Sequence, residues 1–287
     1  MQKQGESVVR SLIVILASLA LCSACSTVPT DATWVGRDGT RSDFFDVANW
    51  SPSIVPTGIA TVPPTNPPQP LSPLVTINKP VSLLELRQRG GAVSGAGELK
   101  FGGAGWSICG KYSNTGFDGI VQGNVHLCAD DSPDFGYGQS GTLIGDVTVL
   151  GGSFGALIAS PSSPGLTVTK SVVVDQTGGI GVQYFPGSSV PILAIQGSLA
   201  IKGNSTILWL FVVQDVPSQT VIPIRAAGGI AGCFSKVIVT SPNYSATYRC
   251  RANDVEVVLT RLSPRSRTGT TTADYSWMPW ARRPPPR

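Results

Sequence analysis

The chain has 287 residues, 41% of them hydrophobic and only 13% charged, with a formal net charge of +4 at pH 7. That apolar content is ample for a core that needs no metal to fold. The basic excess sits at the end, where six arginines from Arg261 onward stand against Asp274; a nucleic-acid reader instead carries its cations on a folded face among aromatics, so no nucleic-acid partner is expected. With 33 Gly, 23 Pro and apolar residues that lean towards Val, Ile and Leu, the balance favours short strands and turns, an all-β protein.

The first residues, MQKQGESVVR, carry Lys3 and Arg10, and SLIVILASLALCSA then runs apolar and ends in small residues. Basic, apolar and small-residue regions in that order are those of a secretory signal peptide, here over 1–24. The run from Leu12 to Leu21 falls short of the roughly 20 apolar residues of a bilayer span. Export is therefore expected, without an integral membrane domain. The segment LALCSAC also resembles a bacterial lipoprotein signal, which implies Cys25 as the lipidated first mature residue and a lipid anchor as the sole membrane attachment. Ordinary cleavage near Ala24 is the alternative.

Residues 32 to 57, ATWVGRDGTRSDFFDVANWSPSIVPT, gather Trp34, Phe44, Phe45 and Trp50 in a chain that is only 7% aromatic. The following VPPTNPPQPLSP, residues 62 to 73, is too rich in proline for a helix or a central strand and reads as a surface loop. Residues 25–73 thus read as a cap and a Pro-rich loop.

From Leu74 onward short β-rich runs alternate with Gly-containing turns, and a corner recurs: Gly123 in VQGNVHL, Gly145 in LIGDVTV, Lys170 in TVTKSVVV and Gly197 in AIQGSLAI, at steps of 22, 25 and 27 residues. A strand–corner–strand unit repeating every 20 to 30 residues is the mark of a solenoid. A right-handed parallel β-helix is expected over 74–216, its interior built from ladders of Val, Ile and Leu. The low charge fits, because like charges on successive turns would stack. A β-sandwich also shows short strands at regular spacing and is the competing architecture. A β-helix exposes apolar core at each end, so Trp34, Phe45 and Trp50, placed just before the first rungs, are assigned to a structural cap rather than to a glycan-stacking site.

Four cysteines follow the leader: Cys109, Cys128, Cys233 and Cys250. An even number in an exported chain points to disulfides. Four cysteines allow three connectivities; the local one, Cys109 with Cys128 and Cys233 with Cys250, is preferred because each pair lies about one repeat apart. A zinc site would need tighter clusters and usually histidine, and the only histidine is His126.

The last third changes character. SKVIVT, SATYRC and DVEVVLTR, separated by Pro242, Asn243 and Asn253, read as an antiparallel meander within a 217–262 cap, with Cys233 and Cys250 stapling its first two strands. Residues 263–287 are polar, basic and Pro-ended, the composition of a disordered tail.

Signals for chemistry are sparse. There is no G-x-S-x-G, P-loop or dinucleotide fingerprint, and no cofactor or metal is expected. His126 alternates with Val125 and Leu127 and so faces away from the interior they line. The acidic cluster Asp130, Asp131 and Asp134 in CADDSPDFGYG reads as a solvated turn; calcium or glycan contact is its functional alternative, and a carboxylate pair for glycoside hydrolysis a further one.

Trp34-x-Gly36, Phe45, Asn49-Trp50-Ser51 and Pro56, the rungs GTLIGDVTVLGGSFGALIASPSSPGLTVTKSVVV, and AGGIAGCF together resemble bacterial autotransporter passenger-type β-helices. The resemblance covers residues 32 to 262 and does not extend to the C-terminal membrane barrel of those proteins. It implies a passenger-like domain on the cell envelope or surface, in the outer membrane by a lipid or free outside, with a structural or adhesive role and a glycan or surface protein as partner. A polysaccharide-degrading β-helix is the second functional reading.

Overall fold

The computed structural model describes residues 28–36, 43–64, 74–110, 113–129, 136–156, 162, 165–187 and 191–263. On the short strands buried and outward positions alternate, and the buried ones are mostly Val, Ile and Leu, with Gln88 and Thr115 as polar exceptions. Ahead of the regular coils come β1 (Ala32–Trp34), β2 (Trp50–Ser51) and β3 (Ile59–Val62). The first two coils hold β4 (Leu74–Thr76) and β5 (Val81–Gln88), then β6 (Ala92–Gly95) and β7 (Glu98–Ile108). Three strands per coil follow: β8 (Asn114–Phe117), β9 (Ile120–Gln122) and β10 (Val125–Leu127); β11 (Gly136–Gln139), β12 (Gly141–Ile144) and β13 (Val147–Val149); β14 (Ser153–Ala156), β15 (Leu166–Val168) and β16 (Val172–Val174). The last full coils are β17 (Gly179–Tyr184), β18 (Leu193–Ile195) and β19 (Leu199–Ile201), and β20 (Ile207–Val212), β21 (Gln219–Ala226) and β22 (Ile230–Ala231). The chain continues through β23 (Lys236–Val239), β24 (Tyr244–Cys250) and β25 (Asp254–Arg261).

This is a parallel β-solenoid of about seven turns. Face A is an eight-stranded sheet running from β4 to β23. Face B stacks the first part of β5 and β7 with β9, β12, β15, β18 and β21, and face C stacks β1, β3, the second part of β5 and β7, and β10, β13, β16, β19 and β22. No α-helix occurs among the described residues; Val47–Asn49 form a single 3₁₀ turn.

The corner read from the sequence is the bend between faces B and C, and the strands pair in the register that its recurrence implies. Val125 lies over Val147, Val147 over Val172, and Val172 over Leu199. All four are at most 1% exposed, as are Leu127, Val149 and Val174 in the neighbouring inward column. His126 falls between Ser107 and Thr148 on the outward column, half-buried.

Glycine before the bend and Asn, Asp or Ser within it have separate reasons. A Cβ on Gly145 would stand 2.0 Å from the Gly123 carbonyl oxygen of the previous turn, so the coils can approach only without one. The next residue supplies a side-chain acceptor to the following coil. Asn124 Oδ1 accepts from the Asp146 amide at 3.1 Å, 22 residues on; Asp146 Oδ1 accepts from Ser171 N at 3.0 Å, 25 on; and Ser171 Oγ accepts from Ser198 N at 3.2 Å, 27 on. The irregular bend thereby keeps its backbone donors satisfied where the strand ladders break.

The stack reaches beyond residues 74–216 at both ends. β1 and β3 already belong to face C, and β21, β22 and β23 continue all three faces to Val239. The segment SKVIVT is accordingly not a meander strand but the last parallel rung of face A. Its residues take the coil register because Val237 and Val239 stack on the inward Leu208 and Leu210. The antiparallel part is β24 against β25, and β25 against β21.

Candidate functional site

The assigned cap residues meet at the N-terminal end of the stack. β2 lies antiparallel on β1, with Trp34 opposite Trp50, while Asp43 bridges to Thr76 of β4 on face A. The chain from Asp43 to Ser51 therefore passes from one face to another across the end of the first coil. Phe44 N donates to Thr76 O at 3.0 Å, and Trp50 Nε1 donates to Phe44 O at 2.8 Å. Trp34, Phe44 and Trp50 are at most 2% exposed, with ring centroids 5.0 Å apart for both Trp34–Trp50 and Phe44–Trp50. Phe45 packs on this cluster from outside, half-buried, with Lys79 Nζ 5.6 Å from its ring centroid. Phe44 is thus the third buried ring, which the spacing of motif residues alone did not single out.

Both local cysteine pairs are disulfides. Cys109 and Cys128 directly follow Ile108 and Leu127, which are paired across face C, so this bond joins one coil to the next. Cys233 lies between β22 and β23 and is bonded to Cys250 at the end of β24, which ties the antiparallel hairpin to the last coil rather than joining two hairpin strands. Two such bonds suit an oxidising, non-cytoplasmic compartment. Among the described residues no helix is long and apolar enough to cross a membrane, and no group of three or more His, Cys, Asp or Glu is placed to hold a metal. Cys25 and Asp130, Asp131 and Asp134 lie outside the described residues.

A groove enclosing about 410 Å³ runs along the bend between faces A and B, over four successive coils. Its floor is backbone. Gly97, Gly119 and Gly141 stack there, and a Cβ on Gly119 would come within 1.8 Å of the Gly97 carbonyl oxygen. Gly141 holds φ at +98°, a conformation that side chains oppose. One wall is the outward column Glu98, Ile120 and Thr142 of face B, whose neighbours Leu99, Val121 and Leu143 point inward and are fully buried. The other wall carries Asn78, Ala96 and Asp118. Gln122 Nε2 donates to Glu98 Oε1, and Ser140 Oγ donates to Asp118 Oδ1 at 2.9 Å.

Two carboxylates on neighbouring coils, each held by a neutral donor, therefore line an open trough. Neither is ion-paired among the described residues. With Asn78 and Thr142 they offer acceptors and donors along the solenoid axis, and Pro80 and half-exposed Ile120 add apolar surface. Glu98 and Asp118 are distant in the sequence and form no visible cluster there. The signal that finds them is the coil register, since Ala96, Asp118 and Ser140 recur at the same step as Gly123 and Gly145. A scan against protein-family models finds no match to the chain, and a search of curated proteins finds no similar sequence.

Proposed function

We propose that this protein is an exported, envelope-associated β-helix with a structural and adhesive role, comparable to an autotransporter passenger tethered by a lipid on Cys25, and that it binds an extended glycan along the bend between faces A and B. The observation that carries this reading is the trough itself. Its floor is free of side chains over successive coils and its walls alternate carboxylate, amide, hydroxyl and apolar groups, which is the mixture that sugar hydroxyls and ring faces require. The disulfides support the exported setting.

The test is binding of the mature protein to a panel of envelope and extracellular polysaccharides, by calorimetry, beside the Glu98→Gln/Asp118→Asn double variant. The expected result is binding by the parent and at least about tenfold weaker binding by the variant, about 1.4 kcal/mol, with the melting temperature unchanged. Equal binding by both would remove the trough from the function. The two carboxylates also favour one second reading, polysaccharide cleavage; release of reducing ends or unsaturated products by the parent, abolished in the variant, would replace adhesion by that activity. Mass spectrometry of the mature N-terminus tests the anchor separately, a diacylglyceryl group on Cys25 being expected.

A further inference from the structure

The trough along the bend between faces A and B changes in a regular way from one coil to the next. Glu98 of β7 pairs in register with Ile120 of β9, and the Asp118 amide donates to the Gly95 carbonyl, which sets Asp118 beside Ala96. Ala96 therefore stands across the trough from Glu98, and on the next coil Asp118 stands across from Ile120. Successive coils lie about 4.8 Å apart. The carboxylate thus moves to the opposite wall at each step along the axis, and each has an apolar residue across from it.

This pair of charges is not neutralised by the protein. No Lys or Arg side chain lines the trough. Lys79 Nζ lies 5.6 Å from the centre of the Phe45 ring, at the cap, and Lys100, two residues after Glu98 on β7, forms no ion pair with it. Gln122 Nε2 engages Glu98 Oε1 and Ser140 Oγ engages Asp118 Oδ1, so one oxygen of each carboxylate has no hydrogen-bond partner among the described residues. Two carboxylates with no third acidic, histidine or cysteine ligand do not make a metal centre. They suit a ligand that brings its own cations as hydrogen-bond donors.

We infer that the glycan held here carries protonated amines on successive residues, as a β-1,4-linked polymer of amino sugars does. This rests on the glycan-binding reading above and names its substrate class. In an extended β-1,4-linked chain each sugar is turned over relative to the one before, so equivalent substituents point to opposite sides in alternation. With one sugar on each coil, the ammonium of one residue meets Glu98 on the face B wall and that of the next meets Asp118 on the face A wall. The floor of Gly97, Gly119 and Gly141 admits the rings between the walls. Acetylation of the amines replaces both charge-assisted hydrogen bonds by neutral ones, and a polymer of acidic sugars is repelled.

Calorimetry at a mildly acidic pH that keeps the amines protonated tests this, with a β-1,4-linked glucosamine oligomer and the same oligomer fully N-acetylated, each titrated into the mature protein and its Glu98→Gln/Asp118→Asn variant. The glucosamine oligomer is expected to bind the parent at least about tenfold more tightly than the acetylated one. The double variant should lose that preference, and Asp118→Asn alone, at an exposed position, should lose part of it with the melting temperature unchanged. Equal binding of the two oligomers by the parent would overturn the amine assignment while leaving glycan binding in place. Binding of neither oligomer, nor of any polysaccharide in the panel, would remove the glycan reading and this inference together. An oligolysine of matched charge that bound as tightly as the glucosamine oligomer would also overturn it, by assigning the trough to basic peptides.

Discussion

Trp34 and Trp50 face one another across the antiparallel pair that begins the solenoid, their rings nearly perpendicular at 87°. An edge-to-face contact buried to this degree belongs to a core. Trp50→Ala is therefore expected to cost about 3–5 kcal/mol in urea unfolding while glycan affinity stays at the parent value. Weakened glycan binding at unchanged stability would instead make these rings a binding site.

Glycine is required at the bend at Gly145 but not within strand β8 at Gly116. Gly145→Ala places a methyl against the Gly123 carbonyl and should destabilise by about 1–3 kcal/mol. Gly116→Ala meets nothing within 4 Å and should stay within about 0.5 kcal/mol of the parent. Thermal unfolding of the two single variants decides the matter, and equal effects would contradict the stacking explanation.

The hydrogen-bond ladder at the bend between faces B and C gives Asp146 two tasks, accepting from Ser171 N and approaching Lys170 Nζ at 3.9 Å. The ion pair is exposed and contributes little. Asp146→Ala should thus cost about 1 kcal/mol, and Asp146→Asn, which keeps the acceptor, should restore most of it. A charge effect would show the reverse, with Asn no better than Ala and a strong dependence on salt.

The disulfides differ in access. Cys109 is 4% exposed, whereas Cys233 lies at the surface. A mild reductant under native conditions should open Cys233–Cys250 first, as read by alkylation and mass spectrometry. Replacing both Cys109 and Cys128 by Ser should lower stability by about 2–4 kcal/mol, measured against the parent in its oxidised form.

Burial raises the Tyr184 phenol above its ordinary value, and a side-chain hydrogen bond with Gln219 partly opposes the shift. The folded chain therefore holds the phenol proton more tightly than the unfolded one. The stability this contributes is intact below the ordinary tyrosine value of about 10 and is lost as pH rises through the folded value. Tyr184→Phe should flatten the alkaline fall in unfolding free energy; an unchanged slope would assign that fall to other groups.

Much of the fold was legible because its demands are local. The inward columns are apolar from turn to turn, and the bend between faces B and C carries glycine at three of its four recurrences and a short polar residue after it at all four, so Gly123, Gly145 and Gly197 and the strands after them declare both the repeat and the pairing register. The candidate site was not legible in the same way. Asp130, Asp131 and Asp134, which lie outside the described residues, stand out because they are neighbours in the chain, whereas Glu98 and Asp118 line one trough only when one coil is laid on another. The SKVIVT segment shows the same limit: β-rich and flanked by turn residues, it suits either a meander or a rung, and the stacking of Val237 and Val239 on Leu208 and Leu210 chose the rung.

The sequence by itself determined the repeat and the residues at which the chain bends, since both follow from steric and hydrogen-bonding requirements that recur within one turn. Only the tertiary structure decided that the chain winds into a solenoid, which cysteines pair, that Phe44 joins Trp34 and Trp50 at the N-terminal end, and that a glycine-floored trough opens along the bend between faces A and B. Those features arise from groups a whole coil or more apart, and their contact energies exist only once the coils are stacked.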